Sequence, residues 1–263
     1  MSMKMPRSQK IIPIHAFKDN YIWMFFDSVT KKAWVVDPGD AKPVIETLKK
    51  QGLELTGILI THHHRDHSGG IDELLQYYGK NVSVIGSEVS RIESVTYRVQ
   101  TGDDVICGAV QLKALEIPGH TLDHVAYYND EILFCGDTLF SAGCGKVFEG
   151  TYQQMYQSLM KLMDLPDAIK IYCGHEYTLA NLQFAEKIEP FNLQVLEAMR
   201  VVKNLRKDNL PTLPSTLHAE KQINPFLRCD QPTVSHAAEE YARRELATPV
   251  EVFACLREWK NSL

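Results

Sequence analysis

The sequence predicts an α+β fold, in which a layered region of strands and helices is followed by a smaller all-α region, and three observations predict it. From residue 11 to about residue 173, short apolar runs rich in β-branched and aromatic side chains alternate with loops and a few helical patterns. After Gly174 the texture changes to helix-spaced apolar residues with almost no strand signal. Within the first region, residues 61–70 read THHHRDHSGG, placing four histidines and an aspartate in six consecutive positions directly after an apolar run.

Taken in order, the patterns predict strands over 21–27 and 33–37, a helix over 43–50, a strand over 55–61 and a helix over 71–78. Strands follow over 82–85, 110–116, 125–128 and 132–135, then a helix over 152–163 and a strand over 169–173. This mixture suits sheets covered by helices. Helices are expected over 179–187, 193–207 and 234–246, with 209–214, which carries Pro211 and Pro214, as a connecting loop.

Composition narrows the function classes. The chain has 263 residues, 44% hydrophobic and 23% charged, which is ordinary for a globular protein, and its net charge of -5 argues against nucleic acid as the main partner. No apolar stretch approaches the roughly 20 residues of a membrane helix, so no membrane span is expected. The six cysteines form no CxxC pair and the segment MSMKMPRSQK lacks an apolar signal core, so the expectation is a cytoplasmic protein with its cysteines buried as small hydrophobes.

The histidine-rich run is a metal site by its spacing. If the strand over 55–61 continues extended, side chains two apart share a face, so His62 and His64 point together and His63 points away toward a packing or hydrogen-bonding role. Asp66 and His67 fall where the chain turns into Ser68, Gly69 and Gly70, which can swing them toward a neighbouring ion. Three further apolar runs each deliver a candidate ligand beside a glycine: His120 in PGH, Asp137 after Gly136, and His175 after Gly174. A lone histidine is as often structural, but loops at strand ends can converge on one rigid site.

The set His62, His64, Asp66, His67, His120, Asp137 and His175 is too large for one four-coordinate ion. It suits two divalent ions if Asp137 bridges, with His62, His64 and His120 on one and Asp66, His67 and His175 on the other. Two such ions, two aspartates and a bridging hydroxide leave a net positive centre that favours a developing oxyanion. Histidine and carboxylate ligands suit zinc foremost, with iron or manganese as alternatives.

The run HHHRDH with the later histidine, aspartate and histidine resembles the metallo-β-lactamase superfamily. DNYIW, VVDPG, PGHT, GDTLFSAGCGK, CGHEYT, NPFLR and LREWK extend the resemblance along almost the whole chain to the glyoxalase II (hydroxyacylglutathione hydrolase) family. That resemblance implies an αββα metallo-β-lactamase-like sandwich over residues 1–175 and a helical glutathione-binding domain over 176–263. It implies hydrolysis of S-D-lactoylglutathione and other S-2-hydroxyacylglutathiones, the second step of methylglyoxal detoxification, by a metal-bridging hydroxide with Asp66 and Asp137 as catalytic ligands. Lys146, Tyr177, Arg257 and Lys260 match the positions that hold glutathione, whose two carboxylates cationic side chains can pair with. Two departures from the family pattern stand out: Phe148 stands where members often have tyrosine, and the chain reads Asn261, Ser262 and Leu263 where an aromatic residue often lies.

The rival chemistry on the same scaffold is an iron-dependent oxidoreductase, either a persulfide dioxygenase or a flavodiiron-type reductase. The first usually lacks the long helical region, and the second adds a flavin domain for which no residues remain. The expected partner is therefore a small glutathione thioester bound by a monomer.

Overall fold

The computed structural model describes residues 5–79 and 81–263. Residues 1–4, which open the segment MSMKMPRSQK, and Lys80 lie outside the described residues. Six strands form the first sheet in the order β1 (Gln9–Ala16), β2 (Asn20–Asp27), β3 (Lys32–Val36), β4 (Glu54–Leu59), β5 (Ser83–Ser87) and β6 (Tyr97–Val99). The first three are antiparallel neighbours and the last four are parallel. The second sheet is built from β7 (Asp104–Cys107), β8 (Val110–Glu116), β9 (Val125–Tyr128), β10 (Ile132–Gly136), β13 (Lys170–Cys173) and β14 (Ser215–Thr216), in the spatial order β14, β13, β10, β9, β8, β7. A short hairpin of β11 (Leu139–Phe140) and β12 (Gly143–Cys144) stands beside it.

Strand β2 explains the layering. All eight of its residues are buried, so both of its faces pack. Tyr21, Trp23 and Phe25 face the second sheet in a cluster with Leu112, Tyr127 and Phe134. Ile22, Met24 and Phe26 face the other way, packing with Val44 and Leu48 of α1 (Ala41–Gln51) and with Ile71 and Leu74 of α3 (Ile71–Tyr78). The one-turn helix α2 (Arg65–Ser68) lies between β4 and α3. Helix α4 (Tyr152–Met163), opened by a capping box of Thr151 and Gln154, buries Met155, Leu159 and Leu162 in the same cluster as Phe134.

The remainder is helical: α5 (Thr178–Ile188), α6 (Leu193–Lys207), α7 (Leu217–Ile223), α8 (Pro232–Ala242) and α9 (Pro249–Asn261). Phe226, Phe253 and Leu256 from this part join the inter-sheet cluster.

Three expectations are corrected. Strand β4 stops at Leu59, so the histidines follow a short connecting segment rather than the strand itself. Asp66 and His67 sit on the helical turn α2, which carries the chain into Gly69 and Gly70. The helix expected to reach residue 246 ends at Ala242, where Arg243 adopts a left-handed conformation (φ 55°) that breaks the helical path. The helical part also supplies a strand, β14, whose residues pair with Lys170 and Ile171 of β13. All six cysteines are buried and free, as expected.

Candidate metal centre and substrate cleft

Four loops at the carboxyl ends of β4, β8, β10 and β13 meet above the sandwich, and backbone hydrogen bonds knit them together. Val125 N–H donates to Thr61 O at 2.8 Å, Gly174 N–H to Gly136 O at 3.0 Å, and Tyr21 N–H to Gly174 O at 2.8 Å. The rigid strand ends therefore set the spacing of the side chains the loops carry.

The seven sequence-predicted side chains come together here. His62 Nε2 lies 3.1 Å from His64 Nδ1, and His120 Nε2 lies 3.0 Å from the same atom. Asp66, His67 and His175 form a second group, with the two Nε2 atoms 3.3 Å apart and Asp66 Oδ2 3.5 Å from each. Asp137 stands between the groups. Its Oδ2 is 3.2 Å from His175 Nε2 and 3.6 Å from His120 Nε2, and its Oδ1 is 3.4 Å from His67 Nε2. Each group of three has its donor atoms close enough to share one ion. His63 turns away, and its Nδ1 hydrogen-bonds Asp123 at 2.8 Å.

Hydrogen bonds behind the rings decide which nitrogen faces inward. His67 Nδ1 lies 3.0 Å from Asp37, His175 Nδ1 lies 2.9 Å from Asp19, and His120 Nδ1 lies 2.7 Å from the Lys146 carbonyl. Each acceptor requires a proton on Nδ1, which turns Nε2 toward the centre as a potential ligand. The hydroxyl of Thr61 donates to Asp37 at 2.7 Å and so accepts from His62 Nδ1 at 3.0 Å, imposing the same tautomer there. Asp37 could be grouped with His62 and His67 as a ligand, but Thr61 N–H, the Thr61 hydroxyl and His67 already occupy its oxygens. Asn20 donates to Asp66 Oδ2 at 3.0 Å and steadies it.

The centre fits cations. Three imidazole nitrogens converge on one point although His64 Nδ1 can give a proton to only one neighbour, so at least one pair meets lone pair to lone pair. Asp137 Oδ1 is buried with no hydrogen-bond partner. Burial pushes His62, His64 and His120 below the usual imidazole range. Burial opposes charge on His175 as well, but the Asp137 carboxylate outweighs it and raises the group to about 10. His67 is raised in the same way by Asp137 and Asp37 against its burial.

Above the centre opens a cleft of about 720 Å³ with His64, Asp66, His120, Asp137 and His175 on its floor. Lys146, Tyr177, Arg257 and Lys260, the other sequence-predicted residues, all line it. The Tyr177 ring stacks on His175 at 4.7 Å and 3°. Arg257 is buried and donates to the Cys144 carbonyl at 2.7 Å. Lys260 contacts the Asn181 side-chain oxygen, and burial first, then the Arg257 charge, pushes it down to about 7. Phe148 is exposed, with its ring edge-on to His64 at 5.7 Å and His120 at 5.3 Å.

Sequence reasoning assigned no role to Asp19, Asp37, Thr61 or His124. Asp19 and Asp37 lie in the segments DNYIW and VVDPG, and His124 follows His120 by four positions. Position marked Asp19, Asp37 and Thr61 as motif members but not what they touch, and His124 lies outside every quoted motif.

Comparison with known proteins places the chain. A model of the metallo-beta-lactamase superfamily matches residues 22–175, and a model of the hydroxyacylglutathione hydrolase C-terminus matches residues 176–263. A hydroxyacylglutathione hydrolase of Nitrosomonas europaea is 47% identical over 254 residues, covering 96% of this chain and 95% of the relative. One from Psychromonas ingrahamii is 46% identical over 256 residues, covering 97% and 99%. Among solved structures, ETHE1 from Myxococcus xanthus superposes with a TM-score of 0.65 at 23% identity, over 96% of this chain and 99% of that one, a likeness of fold. With metal-binding clusters on this fold, the centre is one for divalent metal ions. Two family models that together run from residue 22 to the last residue, and relatives nearly half identical over almost the full length, show that the chain belongs to the hydroxyacylglutathione hydrolase family of the metallo-beta-lactamase superfamily.

Proposed function

We propose that this chain hydrolyses S-D-lactoylglutathione and other S-2-hydroxyacylglutathiones with water, releasing glutathione and D-lactate or the corresponding 2-hydroxy acid. That reaction is the second step of methylglyoxal detoxification. The observation that carries the reading is the shared cleft, whose floor is the histidine and aspartate cluster and whose walls include Lys146, Tyr177, Arg257 and Lys260. The name printed for the relatives, hydroxyacylglutathione hydrolase, supports the substrate class.

In this reading His62, His64 and His120 would hold one divalent ion and Asp66, His67 and His175 a second, with the Asp137 carboxylate placed between the two groups. Zinc is the first choice of metal, with iron or manganese as alternatives. When bound, such a pair supplies Lewis acidity and a water made acidic enough to act near neutral pH. The protein does the rest. Asp19, Asp37, Thr61 and the Lys146 carbonyl hold the imidazoles in the ligating tautomer. Lys146, Arg257 and Lys260 bring positive charge to the glutathione carboxylates, and Tyr177 and Phe148 flank the entrance to the floor. A thiolate leaves more readily than an amine, so no dedicated proton donor is required.

Residues 1–175 form the metal-binding catalytic domain and 176–263 the glutathione-binding domain in this assignment, and the protein works as a cytoplasmic monomer. Among the described residues no helix is long and apolar enough to cross a membrane. The test is loss of thioester absorbance from S-D-lactoylglutathione, run beside elemental analysis of the same sample. Turnover with two ions per chain is expected, and a fully metallated sample without turnover refutes the substrate assignment.

A further inference from the structure

We propose that His124 is a positioning residue of the binuclear centre: its ring accepts the backbone N–H of Asp137 and supports His62, fixing the carboxylate between the two ligand groups. The proposal rests on the two-ion reading above and adds to it a residue that ligates nothing.

His124 is 1% exposed and sits just before β9, where its carbonyl is pinned by Ile117 N–H at 2.9 Å. The Asp137 N–H donates to its Nε2 at 3.1 Å. A backbone amide can only donate, so Nε2 is unprotonated and the imidazole proton sits on Nδ1. The same ring lies flat against His62, with centroids 4.7 Å apart and planes at 12°. One side chain thus touches a member of the His62, His64, His120 group and the backbone of the residue whose carboxylate stands between that group and the other.

The approach is built into the backbone. Gly136 adopts a left-handed conformation (φ 46°), and a Cβ there would stand 2.3 Å from Thr61 Oγ1 and 2.9 Å from His124 Cε1. Only a glycine lets Asp137 sit this close to the ring. Packing alone does not explain a histidine, because its Nδ1 is buried with no hydrogen-bond partner, a cost that an apolar ring would avoid. Phenylalanine could stack on His62 but could not accept from Asp137. Glutamine could accept but could not stack. The imidazole does both.

Zinc binding measured by competition with a chromophoric chelator tests this, using the parent protein, His124→Phe and His124→Gln. The parent is expected to take two zinc ions, with His124→Phe weakening at least one of them by about 10- to 100-fold. His124→Gln, which keeps an acceptor, is expected to recover part of that loss. Melting of the zinc-free proteins, read alongside, separates a general loss of stability from a loss specific to metal. A phenylalanine variant that holds both ions with parental affinity overturns the proposal, as does a glutamine variant no better than phenylalanine. Nitrogen-resolved NMR of the parent imidazoles keeps the test open if a variant fails to fold: the Nδ1–H tautomer is expected for His124, and the Nε2–H tautomer overturns the hydrogen bond. A parent that takes fewer than two zinc ions would instead count against the two-ion reading itself.

Discussion

Substituting Gly174→Ala is the sharpest probe of how tightly the centre is built. Gly174 links β13 to His175, and both of its backbone groups are committed, the N–H to Gly136 and the carbonyl to Tyr21 N–H. It cannot retreat. A Cβ there would lie 2.5 Å from Asp137 Oδ1 and 2.6 Å from His67 Cε1, and the first is about 0.9 Å inside the 3.4 Å at which ordinary contact begins. Asp137 and His67 are 7% and 1% exposed, so neither can swing into solvent. The carboxylate must shift by most of that shortfall. Misplacement of about 1 Å costs on the order of 100-fold in turnover. Overpacking of this kind costs about 1–3 kcal/mol, or roughly 2–12 °C in melting temperature for a chain near this size. The assay is kcat on S-D-lactoylglutathione, with metal content and melting measured on the same preparation. An alanine variant with kcat within twofold of the parent and full metal content would refute the claim that this glycine sets the position of Asp137.

Asp137→Asn keeps the side-chain volume but removes the charge between the ligand groups, and turnover is expected to fall by orders of magnitude with the fold retained. Near-normal turnover at full metal content would sink the bridging assignment. In the proposed role of Lys260 as a partner of the glutathione carboxylates, substrate binding is expected to depend on pH. With its group pushed down to about 7, it carries charge below that pH and loses it above, so KM for the anionic thioester is expected to rise as pH increases through 7. Lys260→Arg, charged throughout, is expected to flatten that profile, and a parent KM constant from pH 6 to 8.5 would count against a role for Lys260 in binding. The stability sign is opposite to that of a paired lysine: the unfolded chain binds the proton more tightly, so this group's contribution to stability increases with pH from about 7 toward the unfolded value of about 10.4.

The metal centre was legible because its chemistry is concentrated in one run. Alternation alone separates His62 and His64 from His63, and it holds although β4 stops at Leu59, because the segment beyond stays extended, with His64 at φ -57° and ψ 142°. Elements whose signal is local and long were equally legible, and helices Ile71–Tyr78, Tyr152–Met163 and Leu193–Lys207 have the expected bounds. Strand β1 was missed because Pro13 interrupts it, and it lies at the edge of its sheet, where a missing N–H is tolerated. Strand β14 is two residues long and has no period to read. Helix α9 went undelimited although Thr248, Pro249 and Glu251 form a capping box with proline in the first turn. The residues behind the ligands were not legible for a different reason. Asp37 acts through Thr61 and His67, 24 and 30 positions away, and His124 acts through Asp137, 13 positions away. Such pairings exist only once the loops have met.

The two ligand groups differ in character, and the difference follows from where the carboxylates fall. His62, His64 and His120 form an all-imidazole set whose members burial holds below their usual range, so protons compete weakly there. Against the burial of both rings, Asp137 lifts His67 and His175, helped by Asp37 at the first and Asp66 at the second, so without metal the second set gathers protons where a cation would sit. Filling it must therefore expel protons, whereas filling the first need not. Asp137 couples the two, since a cation on either side changes the field felt by the histidines on the other. In the two-ion reading, loading of the centre is thus a property of the pair, and the geometry that places Asp137, through Gly174, Gly136 and His124, would set how strongly the two sides influence each other.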